Sequence, residues 1–186
     1  MQALKDIEMD YIQEVKKTLF ARINLLFGGI PTELGKFLRE KSILTGGAIS
    51  SIMLNETPKD YDLYLDDKDD ILFFKQYVSS MDQNLIQDAN EKYVEVLVQG
   101  KLVTANATTF KNSLQVITLH TADARSTFDF VHCMPWYKIS DHKLYISKRQ
   151  YNAIINKHLI KNEHKNAFAL SHKRIEKYTA KGWKFI

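Results

Sequence analysis

The segment Ser42–Leu65, SILTGGAISSIMLNETPKDYDLYL, decides how the rest of the chain is read. Ser42–Thr45 predicts a short strand running into Gly46-Gly47. Residues 48–54 predict one or two helical turns, and Asn55-Glu56-Thr57-Pro58 a turn. Asp60–Leu65 then alternates in the manner of a strand. The carboxylates of Asp60 and Asp62 share one face, and Tyr61, Leu63 and Leu65 share the other. Two side chains spaced i and i+2 on a strand stand roughly 6.5–7 Å apart along it.

Upstream, Leu4, Ile7, Tyr11, Ile12, Val15, Leu19, Phe20, Ile23 and Phe27 recur at helical spacing, which predicts a helix over 3–27. Gly28-Gly29 is expected to end it through a left-handed exit. Pro31-Thr32-Glu33 opens a second helix, to about Lys41. Downstream, the acids at 66–70 suit the N-terminus of a helix that begins near Ile71. Strands are expected over 93–98, 102–110, 114–120 and 127–132, with turns at Gln99-Gly100 and Ala122-Asp123-Ala124. After Pro135 the chain is expected to turn helical. Ser147 would cap a helix over about 148–160, and a last helix would span 165–181 and end at Gly182. This order predicts an α+β domain. Residues 1–41 would be helices packed on a core at 42–137, and 138–186 a basic helical part of the same domain.

The chain has 186 residues, 45% hydrophobic and 26% charged, which is an ordinary globular balance for one domain. The single Cys133 excludes a disulfide framework and a Cys-based zinc site. No apolar run approaches the ~20 residues of a membrane span, and the acidic N-terminus lacks the apolar stretch of a signal peptide. A cytoplasmic protein with no membrane partner is expected; the oligomeric state is open. Charge is uneven: residues 138–186 carry twelve Lys or Arg against three Asp or Glu, residues 1–137 fourteen against nineteen. Such a tail reads either as a surface for an anionic partner or as a solvated helical face.

The chemistry rests on Gly46-Gly47, Asp60-x-Asp62 and a later acid, Asp129, in Phe128-Asp129-Phe130. Phosphoryl transfer needs little covalent work from a protein; it needs positioning and charge neutralisation. Two Mg²⁺ ions about 4 Å apart can hold the attacking and leaving oxygens in line, and Mg²⁺ takes one or two carboxylates besides phosphates and water. Asp60 and Asp62 can bracket the ions, and Asp129 from a neighbouring strand can complete the set. Gly46 and Gly47, between strand and helix, let the backbone approach phosphates, and Ser50, with Ser51 beside it, can add a hydroxyl donor.

These residues resemble the nucleotidyltransferase superfamily of DNA polymerase β, poly(A) polymerases and CCA-adding enzymes: Leu44-Thr45-Gly46-Gly47, then Asp60-Tyr61-Asp62-Leu63, then Asp129. Pro58-Lys59-Asp60-Tyr61-Asp62 is most similar to the head domain of the last two groups. Where those enzymes commonly carry Arg-Asp after the Gly pair, Ser50-Ser51 stand here. A second resemblance, to small predicted nucleotidyltransferases of tailed bacteriophages, runs from about 42 to 183. It rests on Ala105–Thr108, Leu114–Ile117, FDFVHCMPWY at 128–137, and Arg174–Tyr178 with Lys181-Gly182-Trp183.

The resemblance implies a polymerase-β-type domain that moves a nucleoside monophosphate from an NTP to a hydroxyl without a template. It implies Mg²⁺, two ions, with Mn²⁺ as a substitute. Asp60, Asp62 and Asp129 would be the catalytic metal ligands, and Gly46, Gly47, Ser50 and Lys59 the nucleotide contacts. The basic tail adds RNA as the expected acceptor, such as a tRNA 3′ end, with Arg125, Arg174, Lys177 and Lys181 as acceptor or phosphate contacts; the last three share a helical face. Two alternatives stay open: nucleotidylation of a protein or small molecule, and a nucleotide-binding module without turnover. Trp136, Tyr137 and Tyr145 read either as base-stacking groups or as core. Strand alternation would separate His132 from Cys133, which argues against a Cys–His nucleophile.

Overall fold

The computed structural model describes residues 4–82, 86–88, 94–98, 101–118, 124–164, 167, 170 and 172–186. Two helices open the chain, α1 (Asp6–Phe27) and α2 (Thr32–Lys41). Then come β1 (Ile43–Thr45), α3 (Gly47–Met53), β2 (Tyr61–Leu65) and α4 (Lys68–Ser80). The middle holds β3 (Ile86–Asp88), β4 (Val94–Val98), β5 (Lys101–Phe110) and β6 (Leu114–Thr118). The C-terminal part holds β7 (Trp136–Lys138), β8 (Lys143–Tyr145), α5 (Lys148–Ile155), β9 (His158–Leu159), α6 (His172–Thr179) and β10 (Lys184–Phe185).

The main sheet runs β3-β5-β6-β2-β1-β7-β8, with β4 also on β5. β2 and β6 are parallel and the other pairings antiparallel, so the sheet is mixed. The domain is α+β, as its sequence predicts. On one sheet face Leu44, Leu63, Leu65, Leu114, Val116 and Tyr137 join the α1 stripe Ile12, Val15, Leu19, Ile23 and Phe27 in the main core. The α1 stripe follows the three- and four-residue spacing that keeps one helix face apolar. Asp67 caps α4 by accepting from the N–H groups of Asp69 (2.9 Å) and Asp70 (3.1 Å), which accounts for the acid run before it. A second, aromatic cluster of Phe128, Phe130, Cys133, Leu159 and Trp183 lies beside Tyr64 and Tyr178.

Four expectations are corrected. Gly28 ends α1 with right-handed backbone (φ −66°), its N–H donating to Asn24 O; no left-handed exit is used there. The strand expected at 127–132 is two 3-10 turns, Ala124–Thr127 and Val131–Cys133, with extended backbone at Phe130 between them. Its polar groups are taken by the C-terminal part. Asn162 Nδ2 donates to Ser126 O (3.2 Å) and Phe128 O (2.8 Å), and Val131 N–H donates to Ile160 O (2.9 Å). After Pro135 the chain forms the β7–β8 hairpin, with His142 left-handed at its turn (φ 54°), before any helix. The helix capped by Ser147 stops at Ile155, and the last described helix is His172–Thr179; Gly182 does adopt the left-handed conformation. Gln99-Gly100 and most of the turn at 122–124 lie outside the described residues.

Candidate functional site

β1 delivers the chain to Gly46 at the start of α3. Gly46 has φ +94°, a conformation suited to glycine, and a Cβ there would lie 3.2 Å from Asp62 Oδ2. The glycine thus serves two ends: it turns strand into helix and leaves room for a carboxylate. Its own N–H is engaged, donating to Cys133 O at 3.1 Å, so only Gly47 remains of the pair expected to present backbone to phosphates. Nothing lies within 4 Å of where a Gly47 Cβ would stand.

Gly47 lines a cavity of about 390 Å³. Asp60 and Asp62 line it too, and Lys59, Arg174, Lys177 and Lys181 add four cations. The structure therefore brings together eight of the residues predicted from sequence, Ser50 among them. Ser50 also lines the cavity, but its hydroxyl donates to His132 O at 2.6 Å, so the proton expected for a phosphate is already used. Ser51 joins it in the lining. Lys181 arrives from the turn after α6 rather than from a continuous helical face. Arg125 lies elsewhere: its guanidinium carbon sits 4.6 Å over the Trp136 ring, in a different cavity.

Asp62 is raised to about 6, first by burial and then by the charge of Asp60, against the pull of Arg174 and Lys177. Two carboxylates that repel each other in one cavity are a site where a divalent cation lowers the energy. Asp60 and Asp62 fit Mg²⁺ on this ground. Asp129 stands apart from this lining. It is 1% exposed and does not line the cavity. The Arg174 guanidinium Nε lies 3.0 Å from its Oδ2, yet neither carboxylate oxygen receives a well-aligned hydrogen bond. Burial raises its pKa and Arg174 opposes the shift. Among the described residues no group of three or more His, Cys, Asp or Glu is placed to hold a metal ion.

Behind the cavity, Cys133 Sγ lies 3.3 Å from His132 Nε2. The two side chains meet, contrary to the strand alternation. Burial pushes the thiol up to about 11 and the imidazole down to about 3, so both are neutral and no thiolate–imidazolium pair forms. Tyr178 and Trp183 also line the cavity and were not singled out as site residues by sequence reasoning. Their signal was the aromatic spacing beside Lys177 and Lys181.

No helix among the described residues is long and apolar enough to cross a membrane. Comparison of folds finds CCA-adding enzymes. An apo structure, form II, superposes with a TM-score of 0.54 at 14% identity, covering 100% of this chain and 46% of that one. An ATP complex gives 0.48 at 14% identity, covering 86% and 36%. The Thermotoga maritima enzyme with tRNA gives 0.46 at 13%, covering 75% and 35%. At these identities the likeness concerns the fold, and apo form II carries it: the domain has the nucleotidyltransferase type of fold. The chain spans less than half the length of these enzymes. No curated protein matches the sequence. The sequence pattern of one family, described as "Gabija anti-defense 2 family protein", matches residues 12–157. That match covers well over half of the chain, which belongs to the Gabija anti-defense 2 family.

Proposed function

We propose that this protein is a Mg²⁺-dependent nucleotidyltransferase that moves a nucleoside monophosphate from an NTP to a hydroxyl acceptor, RNA in the first place. One observation carries the reading: a single cavity is lined by Asp60 and Asp62 together with Lys59, Arg174, Lys177 and Lys181, and by Gly47. A triphosphate carrying a divalent cation needs this pairing of carboxylates with cations. Asp60 and Asp62 would hold Mg²⁺, which supplies charge neutralisation at the reacting phosphate when bound. The Lys and Arg side chains hold the remaining phosphate oxygens, and Gly47 admits them close to the backbone. Asp129 acts through Arg174, fixing the guanidinium beside the cavity as a positioning residue. His132, neutral and buried, holds the backbone that Ser50 grips.

RNA as acceptor is supported by the basic C-terminal part, which supplies three of the four cavity cations. The family description favours a second reading, in which the acceptor is a component of the Gabija defence and the transfer disables it. One experiment tests both. Each of the four NTPs, labelled on the α-phosphate, is incubated with Mg²⁺ and either total RNA or purified Gabija proteins. Label should enter one acceptor, and Asp60→Ala/Asp62→Ala should lower the rate on the order of 10³-fold or more. Undiminished transfer by that double variant would overturn the assignment.

A further inference from the structure

A second cavity, about 980 Å³, lies at the β8 edge of the sheet, and the pairing register ties it to the carboxylates. Thr45 stands opposite Trp136, and Trp136 opposite Tyr145. The register that sets Leu44 opposite Leu63 brings Asp62 alongside Thr45. Cross-strand partners share a face, so Asp62, Thr45, Trp136 and Tyr145 form one row over β2, β1, β7 and β8. By strand spacing, Trp136 stands roughly 10 Å from Asp62 and Tyr145 roughly 14 Å. Thr45, between the two ends, is fully buried beneath Cys133–Pro135, so a short single strand that spans the distance passes over that segment.

The chemistry of the far end is specific. The Trp136 and Tyr145 rings are stacked, centroids 4.0 Å apart and 6° from parallel. Arg125 covers the other side of Trp136, and Tyr145 remains 39% exposed. The charged residues that line the cavity are Lys16, Arg125, Lys143 and Lys148, with no carboxylate among the described lining. Lys148 is held by Glu8. A locked aromatic platform takes the flat face of a base, and cations beside it take a phosphate chain. An apolar peptide would bring no charge to match Lys16, Lys143 and Arg125. A lone NTP already has the carboxylate cavity.

We propose that this cavity holds the single-stranded end of an RNA acceptor, with one base stacked on Tyr145 and the backbone passing Lys16, Lys143 and Arg125 toward Asp62. This rests on the RNA reading of the proposed function.

The test is fluorescence anisotropy with a 5′-labelled single-stranded octaribonucleotide, without NTP or Mg²⁺, at several salt concentrations. Tyr145→Ala should weaken binding about 5- to 150-fold, the loss of one stacked base, and Tyr145→Phe should bind as the parent does. Lys143→Glu, at an exposed edge position, should weaken binding and reduce the slope of log K against log salt by about 1 or more. It keeps the test sharp if Tyr145→Ala folds poorly. Asp60→Ala/Asp62→Ala should bind the oligonucleotide at least as well as the parent. No binding by the parent chain, or parental affinity in both Tyr145→Ala and Lys143→Glu, would overturn the proposal; label moving only into protein, with no oligonucleotide bound, would do the same. The two readings fail separately: binding at this cavity without any NMP transfer sinks the proposed activity alone, and transfer to RNA unaffected by Tyr145→Ala sinks this inference alone.

Discussion

The two faces of the strands β2, β1, β7 and β8 differ in what they carry. One row, Leu63, Leu44, Tyr137 and Leu144, packs into the aliphatic core under α1. The neighbouring row, offset by one residue, is Asp62, Thr45, Trp136 and Tyr145, with a carboxylate at one end and an aromatic platform at the other. The pleat puts successive residues on opposite faces, so the same four short strands separate stability from chemistry. Substitutions on the two faces should have different readouts. Leu44→Ala removes a fully buried side chain and should cost about 2–5 kcal/mol in urea unfolding. The folded fraction should still gain thermal stability from Mg²⁺ and NTP. A Leu44→Ala chain with the parental midpoint would break the contrast.

The chemical row carries a stability cost of its own. Asp62 is raised to about 6 from 3.8, so the folded state holds its proton longer than the unfolded chain does. Its neutral form favours the fold below the unfolded value, and that advantage is lost as pH rises from about 4 through 6. At neutral pH the penalty reaches up to about 3 kcal/mol. Asp62→Asn should therefore flatten the fall in Tm over that window while abolishing transfer. In the parent, Mg²⁺ should raise Tm more at pH 7.5 than at pH 5, since the ion competes with the proton for Asp62. An unchanged pH profile in Asp62→Asn would show that the carboxylate is not buried as described.

Asp129 sharpens the comparison, because it is buried and countered by Arg174 rather than left facing a cavity. Arg174→Gln leaves that carboxylate without a counter-charge. Removing one partner of a fully buried pair costs about 3–5 kcal/mol; with the Arg174 side chain 40% exposed, about 1–3 kcal/mol is expected. The loss should be larger at pH 8 than at pH 5, since Asp129 protonates more readily when Arg174 no longer opposes burial. Arg174→Gln/Asp129→Asn should recover most of it in the same thermal scans. A double variant no more stable than the single would mean that Asp129 has another counter-charge.

The sequence made the carboxylate face legible and hid much of its surroundings, for physical reasons. Tyr61–Leu65 alternates in a strand with one buried face, and Asp60 stands just before it, so period and burial agree. Phe128–Cys133 offered similar alternation, but all six residues are buried. Alternation then tells nothing about faces, and the carbonyls of Ser126 and Phe128 go to Asn162, more than thirty residues away in sequence. No local pattern announces such a partner. The β7–β8 hairpin was legible in hindsight, in the paired WYK and KLY about a polar ISDH turn, and the Lys content of the tail obscured it. The cavity cations at 174, 177 and 181 were readable as a group, although Lys181 reaches the cavity from the turn after α6. That Arg174 would pair with Asp129 was not, because the pairing depends on how α6 folds back over the 3-10 turns.

The smallest expected effect lies at the middle of the chemical row. Thr45 is fully buried, and its Oγ1 donates to Pro135 O at 2.8 Å, with Cys133 O a second, longer acceptor at 3.3 Å. Gly46 N–H holds Cys133 O, so β1 grips the Cys133–Pro135 segment at two points. That segment runs between the two cavities, with Met134 in the lining of the larger and His132 in that of the smaller. Thr45→Val preserves shape and removes one of the two grips, at a cost of about 1 kcal/mol. For a chain of this length that is about 2–4 °C in Tm. The Gly46 bond remains, so the segment should stay in place but hold its line less well. Turnover should then fall more than affinity for either NTP or oligonucleotide, because each cavity keeps its own lining while their alignment loosens. Equal losses in affinity and turnover would mean that Thr45 shapes a cavity directly, and the row would then be two sites that happen to share strands.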